Sequence, residues 1–95
     1  PSRAMLATVW RYLASAKAPT IQESPICLCR KIVRWSGVPL SLGQLMTCLD
    51  IFRDVGLLTT VRVHKYLSIR LTPGDTKADL SASRTMQRLL QAKER

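Results

Sequence analysis

The spacing of apolar residues changes once along this 95-residue chain, at Gly56. Before Gly56, apolar side chains recur every three or four residues, which predicts amphipathic helices. After Gly56 they recur every second residue, which predicts β-strands. A two-stranded hairpin is not stable alone, so it must pack on the helices. The change of period therefore predicts an α+β fold in which three helices precede a hairpin.

The first two helices are predicted from their caps. One spans 2–16, with Ser2 as its cap. The other lies within 20–35 and has two possible starts. Thr20 and Glu23 have the spacing of a capping box, whereas Ser24 followed by Pro25 also suits a helix start. In the second case, 21–23 form a separate turn. The apolar face of this helix is predicted to comprise Leu28, Ile32 and Trp35.

A third helix is predicted to begin at Ser41, because Ser41 and Gln44 match the capping box, and to end before Gly56. Its buried stripe is predicted to be Leu42, Leu45, Met46, Leu49 and Phe52. Its outward positions are predicted to be Gly43, Gln44, Thr47, Cys48, Asp50, Arg53 and Asp54.

The hairpin is predicted to consist of strands 57–63 and 66–72 around His64 and Lys65. This turn lacks the usual Gly or Asn, so we expect a longer or distorted loop. A last helix is predicted to begin at Asp79 or Ser81 and to run to about Lys93. Three helices, a two-stranded wing and a C-terminal helix make a winged-helix domain. We expect residues 1–95 to form this single domain, as a piece of a longer protein.

The charge balance favours a polyanionic partner. Lys and Arg number 15 against 6 Asp and Glu, a formal net charge of +9. Such an excess most often indicates nucleic acid, although solubility or an acidic neighbouring domain would also account for it. The predicted DNA contacts lie on the second helix, the hairpin and the last helix: Arg30, Lys31, Arg34, Arg62, Lys65, Tyr66, Arg70, Arg84 and Arg88. Tyr66 either stacks on a base or packs across the strands.

The third helix is a poor candidate for reading the major groove, the usual role of the second helix of a helix-turn-helix pair. One outward Arg faces two Asp there, which does not suit the dense phosphates of a duplex. The surface is instead predicted to contact a protein partner through Gln44, Thr47, Cys48 and Arg53.

No catalytic or metal-binding pattern is found in the sequence. Cys27 and Cys29 are two residues apart, so on a helix they point about 200° apart and do not share an ion. His64 is the only histidine and has no placed carboxylate or nucleophile beside it. We therefore expect no catalysis, metal or cofactor in this chain. The three cysteines lack a disulfide pattern, and no apolar run suits a membrane span, so a cytoplasmic location is expected.

Two segments resemble a known family. Residues 45–58 resemble the L-x-x-x-L-x-x-F-x-E-x-G-L helix near the C-terminus of RecJ-type single-strand-DNA-specific exonucleases, with Asp54 at the acidic position. Residues 77–83 are similar to the K-x-D-L-x-x-S segment that follows the hairpin in that family. The chain departs from the family's Ser-Pro-x-Tyr at 83–86, where it has Ser-Arg-Thr-Met.

The resemblance implies an accessory C-terminal domain of an enzyme that digests single-stranded DNA from the 5′ end in recombination and repair. The metal-binding Asp and His clusters of such enzymes have no counterpart here, so the exonuclease chemistry would lie elsewhere in the parent protein. Implied partners are single-stranded DNA, bound non-specifically, and a helicase or single-strand-binding protein. Two alternatives remain: a winged-helix transcriptional regulator, and a structural lid or oligomerisation domain.

Overall fold

The computed structural model of the chain describes residues 2–16, 20–71 and 91. These residues form an α+β domain of three helices and a three-stranded antiparallel sheet. The helices are α1 (Arg3–Ser15), α2 (Pro25–Ser36) and α3 (Leu42–Asp54). The strands are β1 (Thr20–Glu23), β2 (Leu58–Val63) and β3 (Tyr66–Leu71). The predicted last helix lies outside the described residues, apart from Gln91, as do the predicted contacts Arg84 and Arg88.

Serine caps set the starts of all three helices. The Ser2 hydroxyl accepts a hydrogen bond from the Met5 amide at 3.1 Å. Ser24 does the same for Cys27 at 3.3 Å, so the second of the two predicted starts of α2 is confirmed. The predicted capping box at Ser41 is also confirmed, because Ser41 and Gln44 exchange both hydrogen bonds. Each cap satisfies an amide that the helix itself leaves unpaired.

The segment before Ser24 is a strand, not a helix start or a separate turn. Thr20–Glu23 pairs antiparallel with β3, and the strand order is β1-β3-β2. The predicted two-stranded hairpin is therefore two thirds of a larger sheet, with β3 at its centre. Four residues are too short to show a period of two convincingly, and only the free edge of β3 gives them hydrogen-bonding partners.

The core lies between the helices and one face of the sheet. Trp10 of α1 meets Phe52 of α3 edge to face, with ring centroids 5.6 Å apart. Both rings are fully buried, so this aromatic pair joins α1 to α3 inside the core. The fully buried large side chains are Trp10, Phe52, Leu6, Leu13, Leu28, Ile32, Leu45, Leu49, Leu57, Leu58 and Ile69.

Three predicted orientations are wrong. Cys48 is predicted to face solvent but has no exposed surface, because it follows Leu45 by three residues on the side of α3 that faces the core. Leu42 and Trp35 are predicted to be buried but are 41% and 51% exposed. Both lie within the terminal turn of a helix, where the helix extends past the core.

A two-residue turn fixes the register of the hairpin. The loop consists of His64 and Lys65 alone, so the expectation of a longer loop is wrong, but His64 adopts a left-handed φ of 56°, a conformation that is more usual for Gly or Asn. Val63 consequently pairs with Tyr66, and Val61 with Ser68. Paired residues share a face, so the two valines lie on the side opposite Leu67 and Ile69. Val61 and Val63 are 60% and 44% exposed.

Candidate binding surface

The exposed face of α2 carries three of the predicted DNA contacts. Arg30, Lys31 and Arg34 are all exposed. Lys31 is paired with Glu23 of β1 by a short ion pair, and this hydrogen bond raises the pKa of the Lys31 ammonium. Within the described residues, neither Arg30 nor Arg34 lies in an ion pair. Two of the three cations are thus available for an external anion.

The hairpin carries the other predicted DNA contacts among the described residues, and its two arginines lie on different faces. Arg62 pairs with Leu67 and lies on the face turned towards the helices. Arg70 pairs with Thr59 and Thr20 and lies on the outer face, with Tyr66. Arg62 and Arg70 are both predicted DNA contacts, but they do not share one side of the hairpin, because the register places them on opposite faces of the sheet. Tyr66 is 53% exposed, opposite Val63.

A groove of about 500 Å³ joins the hairpin tip to the starts of α2 and α3. Its lining residues are Ser24, Pro25, Ile26, Leu42, Met46, Arg62, His64 and Lys65. Ile26, Leu42 and Met46 form an apolar floor, and Arg62 and Lys65 supply positive charge on the hairpin side. No Asp or Glu lines the groove within the described part of the chain. A cavity of this size is within the range of roughly 300–1,000 Å³ that is usual for ligand sites.

The cations of α2 do not line the groove but lie on the side of the helix that leads to it. Ile26, Arg30 and Arg34 follow one another at intervals of four residues, so they lie along one side of α2. Because Ile26 also lines the groove, the α2 cations continue the surface on which Arg62 and Lys65 lie. We call Arg30, Arg34, Arg62 and Lys65 the cationic surface.

The α3 surface is less available than the sequence suggested. The Gln44 side-chain oxygen accepts from the Ser41 amide at 2.9 Å, and the Thr47 hydroxyl donates to the Gly43 carbonyl at 2.9 Å. Arg53 lies 3.4 Å from Asp50 and 3.6 Å from Asp54. Cys48 is buried. Of the four predicted partner contacts, Cys48 is therefore excluded, and the other three have local partners.

A second polar cluster joins α1, β1 and α2 beside Lys31. The Glu23 Oε2 atom is buried without a hydrogen-bond partner in the described part of the chain. Tyr12 stacks edge to face on Trp35, with centroids 5.6 Å apart. Burial raises the pKa of the Tyr12 hydroxyl, and the nearby Glu23 carboxylate raises it further. The ion pair between Glu23 of β1 and Lys31 of α2 joins the sheet to α2.

Sequence reasoning missed the apolar half of the groove. The sequence predicts no role for Ile26 and no groove position for His64. It predicts that Leu42 and Met46 belong to the buried stripe of α3. The signal in the sequence that Leu42 is not in the core is weak. It is only that Leu42 is the first residue of its helix and precedes Leu45, the first buried residue of α3. A pattern of apolar spacing cannot distinguish a floor of this kind from a core, since both need the same residue types on one helix face.

No protein-family model matches the chain. No curated protein matches it either. Over residues 2–16, 20–71 and 91, no helix is long and apolar enough to cross a membrane. Over the same residues, no three His, Cys, Asp or Glu side chains come together as a metal site would require.

Proposed function

We propose that this chain is a winged-helix accessory domain that binds single-stranded DNA without sequence preference through its cationic surface. The observation that carries the proposal is the continuity of that surface. Arg62 and Lys65 on the hairpin line a groove whose described lining contains no carboxylate, and Arg30 and Arg34 lie one and two turns beyond Ile26, which lines the same groove. Phosphates attract such a surface whatever the base sequence.

The order of elements supports a winged helix. α2 and α3 are joined by a short connection that contains Gly37, as in helix-turn-helix pairs. The β2–β3 hairpin follows α3 and serves as the wing, while β1 completes the sheet. In this arrangement α3 is the helix that would enter a major groove.

The α3 surface argues against the alternative of a sequence-reading regulator. Gln44, its best group for reading a base, is engaged in the cap of its own helix. Arg53 is engaged with Asp50 and Asp54, so α3 presents two carboxylates where a duplex presents phosphates. Contact through α2 and the wing avoids this repulsion.

The proposed parent is a RecJ-like exonuclease acting in DNA recombination and repair in the cytoplasm. The support is the resemblance of 45–58 and 77–83 to that family. The exonuclease reaction, its metal ions and any helicase or single-strand-binding partner belong to this proposal as well. The reading frame that encodes the chain is expected to continue upstream into the family's Asp and His motifs, and an upstream region without them contradicts the proposed parent.

A titration with a fluorescein-labelled thymidine oligonucleotide tests the binding role. Anisotropy is measured over a series of salt concentrations. Arg30→Glu combined with Arg34→Glu is expected to abolish binding at low salt. A plot of the logarithm of the binding constant against the logarithm of the salt concentration has a negative slope. For single strands, each lost phosphate contact reduces the magnitude of this slope by about 0.7.

The control places the same charge change on α1, as Arg3→Glu with Arg11→Glu. This variant is expected to retain most of the affinity. Equal losses in the two double variants would show that net charge alone attracts the oligonucleotide. A variant at Arg30 and Arg34 that binds as tightly as the parent chain would contradict the proposed surface directly.

A further inference from the structure

We infer that the groove between the hairpin tip and the starts of α2 and α3 is a docking site for a short acidic protein segment with one bulky apolar side chain. This site adds a protein contact to the proposed DNA contact. It also differs from the α3 surface, for which the sequence predicts the partner contact.

The floor of the groove provides the apolar half of the recognition. Ile26 is 56% exposed and Leu42 is 41% exposed, although both are large aliphatic residues. Met46 lies one turn beyond Leu42 and is partly buried. Three such side chains beside one concave volume of about 500 Å³ suit the entry of a Leu, Ile or Phe side chain. Methionine adapts its shape readily to an inserted group.

Arg62 and Lys65, which form the cationic rim of the groove on its hairpin side, provide the charged half of the recognition. Arg62 and Lys65 line the groove, and within the described residues neither has an ion pair. Ser24, Pro25 and Leu42 place the starts of α2 and α3 at the same groove, and neither first turn contains an acidic residue. The positive ends of two helices add to the field of the two side chains. The groove therefore favours carboxylates on both sides of an inserted apolar group.

Charge disfavours the other occupants. A second copy of the chain would bring another net charge of +9 to a cationic rim. Residues 72–95 of the chain itself contain five basic and three acidic residues, so they do not complement the rim either. A nucleic-acid base is disfavoured for a different reason, because bases stack on aromatic side chains and the described lining contains none but the His64 ring.

The test uses the full chain and two synthetic peptides labelled with fluorescein. One peptide carries a central Phe flanked by Asp residues, and the other has Ser in place of Phe with the same charge. Anisotropy is expected to show the Phe peptide bound roughly tenfold or more tightly than the Ser peptide, which corresponds to about 1.4 kcal/mol. Equal affinities for the two peptides would overturn the inference, since attraction would then be a matter of charge alone.

Two variants locate the site. Ile26→Ser with Leu42→Ser is expected to abolish the preference for Phe, and circular dichroism is expected to show an unchanged fold because both side chains are already exposed. Arg30→Glu with Arg34→Glu is expected to keep that preference. Retention of the full Phe preference by the Ile26 and Leu42 variant would overturn the inference.

Oligonucleotide binding separates this inference from the proposed function. The Ile26 and Leu42 variant is expected to bind the thymidine oligonucleotide as the parent chain does. If it loses that binding together with peptide binding, the groove takes a base and the inference fails. If the parent chain binds the Phe peptide but no oligonucleotide, the proposed function fails and the inference stands.

Discussion

Arg62 and Arg70 lie on opposite faces of the sheet, although both belong to the hairpin that follows Gly56. Arg62 pairs with Leu67 and lines the groove, whereas Arg70 pairs with Thr59 on the outer face. The two-residue turn imposes this separation, because it fixes which residue of β2 opposes each residue of β3. The hairpin therefore presents Arg62 towards the helices on one face and Arg70 to solvent on the other.

The separation predicts unequal roles for the two arginines. Arg62→Ala is expected to weaken oligonucleotide binding and to reduce the salt slope by about 0.7, the loss of one phosphate contact on a single strand. Arg70→Ala removes the same charge from the outer face and is expected to leave the slope unchanged. Anisotropy titrations of both variants over a salt series provide the measurement. A larger slope change at Arg70 would place the contact on the outer face instead.

Glycine substitutions test the backbone of α2 and α3. Gly37 has a left-handed φ of 72° and no atom within 4 Å of the position that a Cβ would take, so Gly37→Ala is expected to cost about 1 kcal/mol through backbone strain alone. Gly43 lies inside α3, where its Cβ would meet only the Ser41 hydroxyl at 4.0 Å. Gly43→Ala is expected to stabilise the chain by about 0.5–1 kcal/mol. Urea unfolding measures both, and changes of the same sign in the two variants would contradict this assignment.

Thiol labelling tests the orientation of α2 and α3. Cys27 is exposed, whereas Cys29 and Cys48 are buried. The Cys29 thiol also donates to the Leu40 carbonyl at 3.2 Å, and burial raises the pKa of this thiol. A native chain treated with an aromatic disulfide reagent is therefore expected to label rapidly at one thiol, and Cys27→Ser is expected to remove that phase. A rapid phase that persists in Cys27→Ser would show that Cys48 or Cys29 faces solvent.

Alkaline pH is expected to destabilise the fold. The pKa values of Cys29, Tyr12 and Lys31 are raised above their ordinary values of 9.0, 10.0 and 10.5. At pH values between the ordinary pKa of each group and its raised pKa, the native state holds a proton that the unfolded chain has lost. The free energy of unfolding therefore falls as pH rises through these values. The stability is fully present below pH 9.0, the lowest of these values.

Urea unfolding over a pH series that spans this range measures the effect. Tyr12→Phe removes one of the three titrating groups and is expected to make the decline shallower. Tyr12→Phe retains the ring and its contact with Trp35, so packing is largely preserved. A free energy of unfolding that rises with pH above 9.0 would contradict the signs of these pKa shifts.

Several features followed from the sequence because they depend on neighbours along the chain. Ser2, Ser24 and Ser41 are caps, and each bonds an amide three residues away. The bounds of α1, α3 and the hairpin are local in the same sense, whereas the sequence left the start of α2 open between Thr20 and Ser24. The opposition of Arg53 to two Asp on α3 also follows from helical spacing. The cations of α2 and of the hairpin could be named in advance, but not their partners.

Long-range pairing decided the rest. Thr20–Glu23 is a strand only because the edge of β3 is there to receive it, and Glu23 takes Lys31 out of the cationic surface only because β1 lies beside α2. Leu42 and Ile26 line a groove because the starts of their helices lie beside the hairpin tip. Cys48 joins the core because the packing of α3 turns that side of the helix inwards. The helices, the hairpin and the excess of positive charge were readable from residue order, since they depend on local spacing. The sequence did not show which cations face a common groove, because that depends on strand register and on contacts between residues far apart in the chain.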